Sequence, residues 1–152
     1  VYNLYYLKHD YNKQYSSSGS IFTSNINPFI ENETIIYGHN MKNNTMFSEL
    51  GKYLKKDFLD SHNLIKIYTP NGNYEGTIFS VYSTSVNDEN KNIKNLNFNE
   101  RIQYYEKSSK QSINKVKNIN KIIKLSTCSY LNTRTSPTDQ RYYIIASLSP
   151  IS

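Results

Sequence analysis

Apolar positions along this chain recur mostly with the two-residue period of β-strands, interrupted twice by a helical period. The run Ile122-Ile123-Lys124-Leu125 closes on Ser126-Thr127-Cys128 and reads as a strand. Alternation puts Ile122, Lys124, Ser126 and Cys128 on one face, and Ile123, Leu125 and Thr127 on the other. Residues 141–148, Arg-Tyr-Tyr-Ile-Ile-Ala-Ser-Leu, read as a second strand after a polar loop over 129–140. Paired antiparallel, the two strands bring Cys128 and Arg141 together at one edge.

Earlier in the chain, Asn3-Leu4-Tyr5-Tyr6-Leu7 is an apolar-aromatic opening, one helical turn or an extended segment. Ser16-Ser17-Ser18-Gly19-Ser20 is a turn, followed by a short strand at Ile21-Phe22-Thr23. A loop over 25–33 precedes the buried strand Thr34-Ile35-Ile36-Tyr37, which ends at Gly38-His39-Asn40. Phe47, Leu50, Leu54 and Phe58 predict one amphipathic helix over 45–63. Residues 64–69 are a strand, Pro70-Asn71-Gly72-Asn73 reads as a type I′ hairpin, and 74–86 is the returning strand. Residues 87–97 are polar and loop-like. Phe98, Ile102 and Tyr105 mark a second helix, with Asn97 as N-cap and Glu100 completing a capping box. A lysine-rich connection over 107–121 leads into the cysteine strand. The pattern predicts a mostly β domain, a barrel or sandwich with helical insertions.

Composition narrows this to one folded domain. The chain has 152 residues, and although only 37% are apolar, fifteen Tyr and six Phe supply bulky burial. The formal charge of +6 admits a nucleic acid, an anionic membrane or an anionic cell wall as neighbour. The plainer reading is a solvated surface, since the basic residues are dispersed and form no dense run. A single cysteine excludes an intramolecular disulfide and a Cys/His zinc cluster. No stretch approaches the roughly 18 consecutive apolar residues of a membrane helix, and no signal peptide is present. The opening Val1-Tyr2-Asn3-Leu4, without methionine, reads as the start of a fragment of a longer protein.

Three residues stand at strand ends and carry complementary chemistry: His39, Cys128 and Arg141. A thiolate is a nucleophile, an imidazole protonates a leaving amine, and a guanidinium offers several donors to an oxyanion. Losing one such donor typically costs about 3 kcal/mol of transition-state stabilisation. The plainer readings are a cysteine buried as a small hydrophobe, a surface histidine, and an arginine paired with Asp139 or Glu100. Arg134 rivals Arg141 but lies mid-loop. His9 and His62 read as structural. Papain-like enzymes run Cys before His, whereas this chain runs His before Cys.

Separated blocks stand out together: Asn3-Leu4-Tyr5-Tyr6-Leu7, Gly19-Ser20-Ile21-Phe22, Ile35-Ile36-Tyr37-Gly38-His39-Asn40-Met41, Met46-Phe47-Ser48-Glu49-Leu50, Tyr68-Thr69-Pro70-Asn71-Gly72 and Leu125-Ser126-Thr127-Cys128, with Arg141 downstream. In these blocks the sequence resembles class B sortases, the cysteine transpeptidases of Gram-positive cell surfaces. The long insertion over 87–121 also fits class B. The resemblance implies an eight-stranded sortase β-barrel with helical insertions, spanning 1–152 as a catalytic domain truncated at its N-terminus and lacking its first strand. It implies catalysis by His39, Cys128 and Arg141. Cys128 would cleave an NPxTx-type sorting signal after Thr and pass the acyl group to a peptidoglycan amine. Asn3, Leu7, Tyr37 and Ser126 would line the substrate groove. No cofactor, metal or nucleic acid is expected, and the membrane is met only through an N-terminal anchor absent from this chain, on the extracellular face. Ser129 stands where some relatives carry an acidic residue. The rival readings are a basic, Tyr-rich barrel that binds single-stranded nucleic acid by stacking and charge, and an inactive sortase-like fragment.

Overall fold

In a computed structural model of the protein, residues 4–129 and 138–152 are described. Their six strands are β1 (Phe22–Thr23), β2 (Glu33–Tyr37), β3 (Leu64–Thr69), β4 (Gly72–Ser85), β5 (Ile122–Cys128) and β6 (Gln140–Ile151). They form one curled sheet in the order β1-β2-β5-β6-β4-β3. The cysteine strand β5 lies inside it, parallel to β2 and antiparallel to β6. Against the eight strands of the implied barrel, six are present among the described residues, and β1 and β3 form the edges.

Both faces of β5 are buried, as its near-continuous apolar run requires. On one face Ile123, Ile144, Ala146 and Leu148 pack with Ile78 and Val81 against Leu50 and Leu59. On the other, Ile122, Tyr143, Ile145 and Tyr82 pack against Ile93, Ile102 and Tyr105. The first layer comes from a 3₁₀ segment (Ser48–Leu54) and helix α1 (Lys56–Ser61), the second from α2 (Val86–Ile93) and α3 (Phe98–Ser108).

Three local expectations are corrected. The single helix over 45–63 is broken at Lys55, which is extended (φ −94°, ψ 124°). Leu50 and Leu59, nine residues apart, would face opposite sides of one straight helix; the break turns both into the core. The polar stretch over 87–97 holds all but the first residue of α2, N-capped by the Ser85 hydroxyl accepting from the Asp88 amide at 3.0 Å. Its buried positions are Glu89 and Ile93, so no apolar stripe announces it. The hairpin turn is not type I′: Thr69 pairs with Gly72, which places Pro70 and Asn71 at the centre. Proline cannot take the positive φ that a type I′ turn needs, and Gly72 absorbs it instead at φ 150°. The capping box at Asn97 and Glu100 forms as the sequence predicts. The chain's opening forms one 3₁₀ turn, Leu4–Leu7.

A buried polar network joins the second helical layer to the sheet. Lys124 of β5 and Glu89 of α2, 2% and 1% exposed, form an ion pair at 2.5 Å. Glu89 also accepts from the Tyr82 hydroxyl at 2.5 Å and the Tyr104 hydroxyl at 2.9 Å. Lys124 sits over the rings of Tyr143 and Tyr105, at 4.5 and 4.7 Å. Tyr105 donates to Glu33 at 2.6 Å, and Glu33 pairs with Arg101 at 3.0 Å. Burial, reinforced by the neighbouring carboxylates, holds the Tyr82 and Tyr105 hydroxyls far above the usual tyrosine range, so both remain donors. Burial pulls Lys124 below the usual lysine range, opposed by the attraction of Glu89.

Removing one partner of such a pair strands the other charge. Lys124→Met is therefore expected to lower unfolding free energy by about 3–5 kcal/mol, and Lys124→Met/Glu89→Gln to recover most of it. Urea titration of the two single variants and the double checks the cycle; an additive double would contradict the coupling.

Candidate active site

The strand register gathers one set of side chains on the sheet face that α2 and α3 cover. Directly paired residues project to the same side. Cys128 is the partner of Arg141, and Arg141 of Thr84. One pleat back, Ser126 lies between Tyr37 and Tyr143, and Tyr143 opposite Tyr82. Cys128 and Arg141 thus meet across β5 and β6 where the sequence places them. Antiparallel partners of this kind lie about 4.5–5.5 Å apart at Cα.

Cys128 is a half-buried free thiol at the last position of β5, not a packed core residue. Arg141 pairs with neither Asp139 nor Glu100. Its Nη1 donates to the carbonyls of Thr138 at 2.7 Å and Gln140 at 2.9 Å. Those bonds use both hydrogens of Nη1 and aim the guanidinium, whose Nε and Nη2 carry three further donors. The Ser129 amide, next to the thiol, donates to the Gln140 carbonyl at 2.9 Å.

His39 arrives from the other side. Beyond Tyr37 the β2–β5 ladder continues through the Gly38 amide, donating to Ser126 at 3.2 Å, and the Thr127 hydroxyl, donating to Gly38 at 2.7 Å. The Asn40 side-chain amide then donates to the Cys128 carbonyl at 2.8 Å. The Phe47 amide donates to the His39 carbonyl at 2.9 Å. His39 is therefore flanked on both sides by residues bonded to the cysteine strand. Its Nε2 lies 2.5 Å from the Leu7 carbonyl. A carbonyl only accepts, so Nε2 carries hydrogen and Nδ1 is left for proton exchange.

Of the expected groove residues, Leu7 contributes this carbonyl, and Tyr37 is half-buried and stacked on Phe22 with ring centroids 5.4 Å apart. Ser126 is 4% exposed and lies beneath Cys128 on the same face. Asn3 and the rival Arg134 lie outside the described residues. His9 bonds the Tyr5 carbonyl at 2.7 Å, and His62 bonds the Phe58 carbonyl at 3.0 Å; both are local contacts. Among the described residues, no three His, Cys, Asp or Glu side chains are grouped to hold a metal.

Sequence reasoning missed Asn40, Thr127, Lys124 and Glu89. A lysine in the middle of an apolar strand was the available signal for Lys124. The other three need contacts 35–89 residues away in the chain, which no local pattern encodes.

A sortase-domain family model matches residues 3–149. The chain is 41% identical to Sortase B of Listeria monocytogenes over 83% of its length, covering 54% of that protein. It is 31% identical to Sortase B of Staphylococcus aureus over 97% of its length, covering 62%. It therefore spans roughly half to three-fifths of these curated relatives. The structure superposes on a Staphylococcus aureus sortase B–substrate complex with a TM-score of 0.78 at 31% identity, over 99% of this chain and 71% of that one.

Gly19 controls the Leu7 carbonyl. At φ 60° it passes so close that an added Cβ would meet the backbone oxygens of Leu7 and Tyr6 at 2.5 and 2.6 Å. Gly19→Ala is expected to displace the Leu4–Leu7 turn and weaken the His39–Leu7 bond. ¹⁵N NMR of the imidazole should then show a loss of the Nε2-protonated tautomer; an unchanged spectrum would mean that the turn yields without moving Leu7.

Proposed function

The chain belongs to the sortase family, with class B members as its relatives, and we propose that it is a catalytic domain that cleaves a sorting peptide and transfers the acyl part to an amine. The observation that carries this reading is the pairing of Cys128 with Arg141, with His39 set between Gly38 and Asn40, which both bond to the cysteine strand.

In the proposed reaction the Cys128 sulfur attacks the carbonyl carbon of the threonine in an NPxTx-like signal, and the C=O electron pair moves onto oxygen. The Nε and Nη2 donors of Arg141 stabilise that oxyanion. Because the Ser129 amide is engaged by Gln140, the guanidinium is the main donor. Collapse of the intermediate breaks the C–N bond, and the departing amine takes a proton from protonated His39 through Nδ1. A thioacyl-enzyme remains. An amine of the peptidoglycan then gives a proton to His39, attacks the thioester carbonyl, and releases the Cys128 sulfur. Tyr37 and the Leu7 backbone form the wall of the peptide groove and Ser126 its floor, with Asn3 as a further groove residue. By the same reading the domain covers the whole chain and works on the outer face of a Gram-positive cell membrane.

Incubation with a panel of NPxTx and PxTG peptides should give an acyl adduct at Cys128, detected by intact mass and cleared by added amine. Cys128→Ala should lose both adduct and cleavage, and Arg141→Ala should lower kcat by about 10²–10³-fold. A folded wild-type chain that forms no adduct with any peptide would instead match an inactive sortase-like module.

A further inference from the structure

The buried Lys124–Glu89 pair is not used by the chemistry, yet it lies on the face that carries the reactive groups. Lys124 is two positions from Ser126 and four from Cys128 along one side of β5. Its partner sits in α2, and α2 starts at the rim of the site. Ser85, the N-cap of α2, pairs with Gln140; Thr84, just before it, pairs with Arg141. The Val86 amide donates to the Asp139 carbonyl at 2.9 Å, and the Ser83 hydroxyl donates to that of Ser129 at 3.0 Å. The first turn of α2 is thus tied to the residues just before Arg141, and Glu89, on the next turn, is held by Lys124, Tyr82 and Tyr104.

We propose that Glu89 and Lys124 are positioning residues that fix α2 as one rim of the Cys128 cleft and so set which peptides reach the thiol. This rests on the cleft being the reactive site. An apolar strand position at 124 would bury equally well; an ion pair adds a directional tether between one helix and one strand. Displacing a cleft wall by about 1 Å is enough to change turnover by orders of magnitude.

The test alkylates Cys128 in parallel with iodoacetamide and the bulkier fluorescein-5-maleimide, and follows hydrogen exchange across α2. In Glu89→Gln, and in Lys124→Met/Glu89→Gln, which is expected to recover most of its stability, the bulky reagent should gain about tenfold on the small one. Exchange over residues 90–93 should quicken about tenfold while Ile123 and Ile144 stay protected. With a cleaved peptide, KM should rise with kcat within about twofold. A double variant with wild-type reagent ratio and α2 protection overturns the proposal, as does equal acceleration in all elements. Failure of the wild type to cleave any peptide would sink the transpeptidase reading alone, because the alkylation ratio still decides whether the pair holds the rim.

Discussion

Everything in this molecule is arranged around a strand that has no exposed side. β5 is hydrogen-bonded to β2 along one edge and β6 along the other, and a helical layer covers each of its faces. A strand in that position cannot slip, because moving the register by one residue would exchange its two buried faces. The sulfur at its end inherits this rigidity. A half-buried thiol on a fixed strand end needs no mobile loop to be presented, and the guanidinium opposite is placed by the same ladder.

The imidazole is held less directly, by a chain of single hydrogen bonds that continue the ladder after the strand has ended. Thr127, Asn40 and Leu7 each contribute one, from three different parts of the sequence. Such a frame is rigid only if every member is present. The Leu7 bond also sets which nitrogen is available for proton exchange, so a backbone turn at the start of the chain governs the chemistry of a side chain 32 residues away.

The buried charges beneath this site are internally balanced: Glu89 with Lys124, Glu33 with Arg101, linked through Tyr105. Placing them between the sheet and its helical cover sacrifices some stability relative to an apolar filling. In return the two helices of the insertion are located by directional bonds, which apolar packing between a helix and a sheet does not supply alone.

The sequence by itself determined the strands at 34–37, 64–69, 122–128 and 141–148, the capping box at Asn97, and the meeting of Cys128 with Arg141. These depend on two-residue alternation, short-range capping and the antiparallel return of neighbouring strands, all local in the chain. The motif blocks around His39 and Cys128 made the family legible as well. Only the tertiary structure decided that the residues flanking His39 bond to the cysteine strand, since β2 and β5 are parallel and 89 residues separate the partners of their register. It alone decided the break at Lys55, where Leu50 and Leu59 had to reach the same core. It alone decided α2, which buries beside Ile93 a carboxylate that reads as solvent-exposed until Lys124 is brought to meet it. Periodicity reports what a residue prefers to bury, and it is silent where burial depends on a partner supplied from elsewhere in the chain.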